Sequence, residues 1–522
     1  MSTNGVLRVR RSMSELQDAY EGGDKKPLET VMRAWKGIKE LDPSDPRSFF
    51  MLGGYHGEPF RGAGWGSSAY WGGYCNHGNV LFPLWHRVYL YEIENALRSI
   101  PGCADVTLPF WDECSEDSLT QGVPWAFTNE TFELDGATIP NPLRSYVFQR
   151  SIADNISGDD PNYSKPAGYE TVRYPYSGLV GTPEDQKKTA EHNKRWTYPQ
   201  AVQVLNKNVV AWLNQKIVIK GQTRGTGIHQ EFLDCLEAPN YTVFSNTSSM
   251  AEWNANGPHV VALESPHNHV HLAVGGCDVP NYDASVIPDA NGDMGENDTA
   301  GLDPIFFFHH CFIDRVFWLW QTKHGFTDDL PIMPHYPGTN SVDNQGPTPG
   351  VPPNSWLSMD SPLEPFVKSD DGQKRFYVGR DAFNIETQLG YRYGDGSLVE
   401  QAAAPPAAAA ADGPKVHVTG VDRGRIRGSF LIAAYVEDEG EKKLIGSHSV
   451  LSRWHVQGCA NCQTHLRAAA SFPLHGLDPE ELGDDAVHVE VRTHDGLLGG
   501  RRHGLKALVG SEEERPYRVE VR

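Results

Sequence analysis

Before residue 400 the apolar positions recur mainly at helical spacing, and beyond it they change to alternation. From Leu84 to Leu97, the residues His86, Leu90, Ile93 and Leu97 fall on one face at the helical period, which predicts an amphipathic helix. Asp303-Pro304 opens a second helix, with Asp as N-cap and Pro at the first helical position, running through FFFHHCFIDRVFWLWQ to about Gln321. Ser265-Pro266 predicts a third start of the same kind, just ahead of His267. Each of these segments carries histidine. From Pro124 to Asn193 the chain is rich in Gly, Pro, Asn and Tyr, a composition that predicts long surface loops.

In the last part of the chain GSFLIAAYVE (Gly428 to Glu437), VHVEVRTH (Val487 to His494) and YRVEVR (Tyr517 to Arg522) read as strands, the last two with strict alternation. The stretch EQAAAPPAAAAADGP, Glu400 to Pro414, has no side chains able to build a core and reads as a linker. The expected architecture is mainly α: a four-helix bundle with long loops over residues 1–399, a linker over 400–415 and a small C-terminal β-sandwich over 416–522.

Composition narrows the function. A net charge of -21 argues against nucleic acid, whose binding depends on Lys and Arg neutralising phosphates. No apolar run approaches the roughly 18 residues of a membrane span. The opening Met1-Ser-Thr-Asn-Gly-Val-Leu-Arg lacks the marks of a secretory signal, so the cytoplasm is the expected location. The eight cysteines, Cys75, Cys103, Cys114, Cys235, Cys277, Cys311, Cys459 and Cys462, are too scattered to read as a disulfide framework. A homo-oligomer is compatible with all of this.

The chemistry lies in the histidines. There are 21, so one alone is ordinarily a surface or satisfied core residue, and grouping is what carries meaning. His267 and His271, four apart on a helix, leave the same face and can reach one metal ion, while His269 points the other way. Asn268 stands where the helical zinc-protease motif has its general base Glu, which disfavours that chemistry. His77 and His86 lie nine apart, in the string HGNVLFPLWHRVYLYE.

That string, His77 to Glu92, resembles throughout the copper-A signature of tyrosinases and catechol oxidases, the type 3 dicopper family. DPIFFFHHCFID, Asp303 to Asp314, is similar to their copper-B signature. The resemblance implies two copper ions, held by His56, His77 and His86 at copper A and by His267, His271 and His310 at copper B. His56, in GGYHGEP, has no tight motif around it. His309 should face about 100° away from His310 and be packed or hydrogen-bonded. The donor set agrees, since imidazole suits copper, although it also suits zinc, iron and nickel.

The resemblance implies further roles. Cys75-Asn76-His77 has the spacing of a cysteine-to-histidine thioether, the alternative being a buried thiol. Glu264 and Asn268 match a pair that holds a proton-accepting water near copper B, the alternatives being a carboxylate at a helix N-terminus and a polar helix position. Asn297 stands where many plant catechol oxidases place a bulky Phe, which leaves room for a phenol, and Phe306 is a pocket wall or simply a core aromatic. Arg87, Asp314 and Arg315 read as an ion-pair network, and GYRYGDGS, with Tyr391 and Tyr393, is similar to the motif closing the family's core domain.

A β-rich extension covers the site in latent relatives, so residues 416–522 are expected to act as a lid, with Val450, Leu451 and Trp454 as candidate plugs. Cys459-Ala-Asn-Cys462 reads as a copper-loading pair in preference to zinc, for which His455 and His465 would be flanking ligands. The function implied is ortho-hydroxylation of monophenols and oxidation of o-diphenols by dioxygen. The competing readings are a catechol or o-aminophenol oxidase without monophenol activity and an oxygen carrier like haemocyanin.

Overall fold

The computed structural model describes residues 7–57, 73–152, 163–276, 287–343, 348–370, 372–406, 413–438, 440–452, 454, 466–479, 486–498 and 516–522. Four helices form the centre of the body: α1 (Phe49–His56), α2 (Phe82–Arg98), α3 (Glu264–Gly275) and α4 (Ile305–His324). Every residue of α3 is buried, as is α4 from Ile305 to Phe317. The apolar run of α4 suits such burial, the polar side chains of α3 find partners inside, and both helices are enclosed by others such as Lys26–Glu40 and Tyr198–Leu213.

Local signals explain the ends of these helices. The Ser48 hydroxyl accepts from the Met51 N–H at 3.2 Å and starts α1. The expected start at Asp303-Pro304 moves by one residue: Pro304 is the N-cap and α4 begins at Ile305, whose N–H donates to the Asp303 carboxylate just outside the helix at 3.2 Å. The expected start at Ser265 is corrected: α3 begins at Glu264, and Ser265 and Pro266 lie inside its first turn. The expected surface loops over Pro124 to Asn193 are also corrected. Leu143, Tyr146, Phe148, Tyr163 and Tyr174 are buried, Thr131–Leu134 and Ala137–Pro140 pair as a hairpin, and Pro183–Asn193 is a helix. Buried tyrosines, not only apolar side chains, anchor this irregular segment, so its polar composition is a poor guide to its place.

One buried ion cluster ties the body together. Asp314 on α4 receives Arg87 of α2 at 2.5 Å and lies 3.6 Å from Arg10, and it accepts from the hydroxyls of Tyr391 and Tyr393 at 2.6 Å each. Arg10 also meets Glu94 at 2.8 Å. Arg315, expected in this cluster, instead donates to the Ser397 carbonyl at 2.8 Å, because the next residue on a helix points about 100° away.

The C-terminal part is built of β1 (Lys415–Asp422), β2 (Phe430–Asp438), β3 (Glu441–Val450), β4 (Arg467–Pro473), β5 (Val487–Thr493), β6 (Gly496–Leu497) and β7 (Arg518–Val521). They make a sheet of order β3-β2-β5-β6 and another of order β4-β1-β7. Val416, Val418, Ile432, Val436, Phe472 and Val491, from both sheets, share one apolar core, into which the Lys216–Ile219 strand inserts Ile217 and Ile219. On the other face Leu431, Leu451 and Trp454 join the apolar core of the helical body. Within the stretch read as a linker, Val399–Ala403 is helical and residues 407–412 lie outside the described residues.

Candidate metal centre

The histidines gather in two groups. The ring nitrogens of His56, His77 and His86 lie within 4.8 Å of one another, as do those of His267, His271, His309 and His310. In the second group the Nε2 atoms converge, His310 to His267 at 3.2 Å and His310 to His271 at 3.3 Å. Imidazole nitrogens about 2.0 Å from one ion stand about this far apart. The groups face each other, with His86 stacked on His310 at 4.5 Å and 17°, and His77 over His267 at 5.6 Å.

The other ring nitrogen decides how each ring is aimed. His86 Nδ1 meets the Phe82 carbonyl at 2.8 Å, His271 Nδ1 the Met294 carbonyl at 2.7 Å, and His267 Nδ1 the Asn268 Oδ1 at 2.9 Å. In each case the nitrogen left facing the group is Nε2. His86 Nε2 is buried without a hydrogen-bond partner, as expected of a donor meant for an ion. Two aromatic rings pack across the groups: Phe306 lies 4.0 Å from His310 and 4.7 Å from His56, and Phe82 lies 4.8 Å from His86 and 4.9 Å from His267.

His56 owes its place to glycine. A Cβ at Gly53 would come within 2.6 Å of the Gly301 carbonyl, and one at Gly301 within 2.8 Å of His56 Cβ, so only paired glycines let α1 approach the loop before α4 this closely. Gly53, three residues before His56, was the available signal for this placement.

The remaining expected residues fall nearby. Both Glu264 oxygens are engaged, by the Gly78 N–H at 2.8 Å and by Thr247 at 2.9 and 3.0 Å, and burial pushes its pKa up against these bonds. The Asn268 amide donates to the Ser449 carbonyl on β3 at 3.2 Å. Asn297 Nδ2 lies 3.6 Å from Cys75 Sγ. His309 meets Glu113 at 2.6 Å, both fully buried, and stacks on His267 at 5.3 Å. His269 turns away to Glu231 at 2.6 Å and to Ser447 at 3.4 Å. Glu113 and Glu231 escaped the sequence reading, since WDEC and HQEF mark no partner. Cys459, Cys462, His455 and His465 lie outside the described residues.

Residues 46–323 match the family described as the common central domain of tyrosinase. A tyrosinase of Hahella sp. (strain CCB-MM4) is 51% identical over 99% of this chain and 98% of its own. The chain belongs to the tyrosinase family. A tyrosinase of Aspergillus oryzae is 43% identical over 95% of each chain. The solved structure of a tyrosinase from Burkholderia thailandensis, at low pH, superposes with a TM-score of 0.83 at 47% identity, over 99% of this chain and 100% of that one. The enzyme is accordingly a copper polyphenol oxidase whose cofactor is a pair of copper ions, and the oxygen-carrier reading gives way. The two groups of buried imidazoles fit that cofactor in number and donor type.

Burial holds the imidazoles neutral, pushing His86 down to about 3 and His271 to about 4. On unfolding they return to 6.5 and bind protons at any pH below it, whereas the folded rings stay neutral to about 4. The unfolded chain then binds more protons, so stability of the metal-free protein rises with pH across that window and is lost as pH falls. Thermal melts of metal-free protein should show Tm climbing between pH 4 and 6.5. A flat Tm over that range would mean that these rings are solvated.

Proposed function

We propose that this tyrosinase-family enzyme hydroxylates monophenols at the ortho carbon and oxidises o-diphenols to o-quinones with dioxygen. The observation that carries the reading is the pair of facing imidazole groups. We assign His56, His77 and His86 to copper A, and His267, His271 and His310 to copper B. Bound there, the copper pair supplies the redox chemistry with dioxygen. The chain orients the site, keeps the ligands neutral and excludes water. Glu264 is held in place by Gly78 and Thr247, and Asn268 by His267 and Ser449. We assign this pair to the water that takes the phenol proton, with Phe306 as a wall of the pocket and Asn297 as a small residue leaving space for the ring.

The test is metal analysis with oxygen uptake on phenol, catechol and o-aminophenol. Two coppers per chain and uptake with all three, beginning with a lag on phenol, are expected, whereas His310→Ala should lose copper B and nearly all activity. Catechol oxidation without any phenol turnover would replace the reading by a catechol oxidase, and full activity with one copper or with zinc would sink the dicopper assignment.

We also propose a thioether between Cys75 sulfur and the His77 ring, formed on copper maturation with dioxygen as oxidant. The CNH spacing beside an assigned ligand supports it. Mass spectrometry of the denatured, reduced peptide should find it lighter by the two hydrogens lost. Quantitative alkylation of Cys75 in copper-matured protein would rule the bond out. Cys459 and Cys462 we assign to copper loading, and the buried cysteines Cys103, Cys114, Cys235 and Cys311, in no disulfide, suit the cytoplasm.

Residues 416–522 we read as a lid, joined through 400–415 to a catalytic domain of residues 1–399. A domain joined through a short stretch of the same chain has a high effective concentration, so the lid needs little affinity of its own. Contacts across the seam support this: Trp454 N–H to Asp298 at 2.7 Å, His494 to Glu296 at 2.7 Å, and Asn268 to Ser449. Of the candidate plugs, Val450 belongs to the sandwich core and Trp454 stacks on Tyr163 at 5.1 Å. Leu451, two residues past Ser449 and part of the helical core, is the plug we favour. Cleavage between Ala402 and Ala411 should raise activity toward bulky phenols severalfold. Unchanged kinetics, with the fragments shown to have separated, would refute the lid.

A further inference from the structure

A cavity of about 620 Å³ lies between the helical body and the sandwich. Glu264 and Asn268 form one part of its lining, and His335 and Trp356 form another. Such a volume is in the range of pockets that enclose ligands much larger than one phenol ring. Trp356 is 49% exposed, the one tryptophan among the exposed large apolar side chains of the described residues. His335 packs against it, ring centres 4.5 Å apart at 60°. The backbone of His335 is left-handed, φ 60°, a conformation that a non-glycine residue keeps only where its surroundings impose it.

The loops that carry this pair are fixed. Asp343 accepts from the Gly338 and Asn340 N–H groups at 2.8 Å each, Trp356 bridges to Asn340, and the Leu357 N–H meets the Thr339 carbonyl at 2.7 Å. An aromatic pair lining the same cavity as Glu264 and Asn268 has the makings of a binding platform.

We infer that Trp356, backed by His335, is a docking platform for phenols extended at the para position by a second ring. The reacting ring lies toward Glu264 and Asn268, and the second ring stacks on the indole. This rests on the reading that copper B takes phenols beside that pair. Both platform residues belong to the helical body, so the platform persists whether or not the C-terminal strands are seated.

The experiment is calorimetric binding of para-phenylphenol and of phenol under argon, where lack of dioxygen prevents turnover, to copper-loaded protein cut between Ala402 and Ala411, with the uncut protein as the comparison in which the seated strands should weaken both ligands. Para-phenylphenol is expected to bind more tightly than phenol. Trp356→Ala should weaken para-phenylphenol by roughly 2- to 10-fold, the range of an aromatic pair, with a smaller change for phenol, and Trp356→Phe should restore most of the loss. Equal affinity of wild type for the two ligands, unchanged binding of para-phenylphenol by Trp356→Ala, or equal weakening for both ligands would each overturn the platform. Catechol oxidation in air by the same preparation tests the copper reading separately, since its failure would leave the binding result intact.

Discussion

The Nε2 atoms of His267, His271 and His310 meet at 3.2 and 3.3 Å in a dry interior, and neutral imidazoles at that range offer one another little. A cation is what makes such a cluster favourable, and the rings themselves have to be aimed from outside it. His267 and His271 are held from the far side, through the amide oxygen of Asn268 and the Met294 carbonyl, as His86 opposite them is through the Phe82 carbonyl, while His310 is packed by Phe306 with ring centres 4.0 Å apart. Those acceptors in turn depend on where the helices sit. The rest of the body can be understood as the means of keeping four helix segments and one loop in register around the two imidazole groups.

The ion cluster at Asp314 serves that end directly. It lies one turn along α4 from His310, and Arg87 lies next to His86 on α2, so one ion pair at 2.5 Å locks the two helices that carry these histidines. A buried pair is costly unless its lone pairs are filled. Here Tyr391 and Tyr393 fill those of Asp314, and Arg10 brings the N-terminal strand to the same point. Removing either partner would leave an uncompensated charge in the core, which makes the cluster stricter than apolar packing of the same volume. His309 and Glu113 form a similar brace behind His267.

The C-terminal sandwich is bound to this body by more than a tether. Its β2 strand is buried on both faces, Ile432 toward its own core and Leu431 toward the helices. The hairpin strand Lys216–Ile219 returns the exchange by entering the sandwich core. Polar contacts concentrate on Glu296, Asn297 and Asp298, the loop leading to α4, so the seating of the sandwich and the entry to the helix that carries His310 share one segment.

Periodicity and local motifs determined a good deal. The helices around His86 and His310 follow from apolar residues at the helical period, the spacing of His267 and His271 puts both on one face, and alternation after residue 400 specifies strands. These are properties of neighbouring residues, and neighbouring residues share their local geometry. The partner of His309, the Arg10 and tyrosine contacts of Asp314, the glycine contact that seats His56, the burial of the Pro124 to Asn193 segment and the facing of the two imidazole groups were decided by the tertiary structure alone. Each depends on which distant segments pack together, and residues as far apart as Glu113 and His309, or Arg10 and Asp314, leave no spacing in the chain from which that contact could be read.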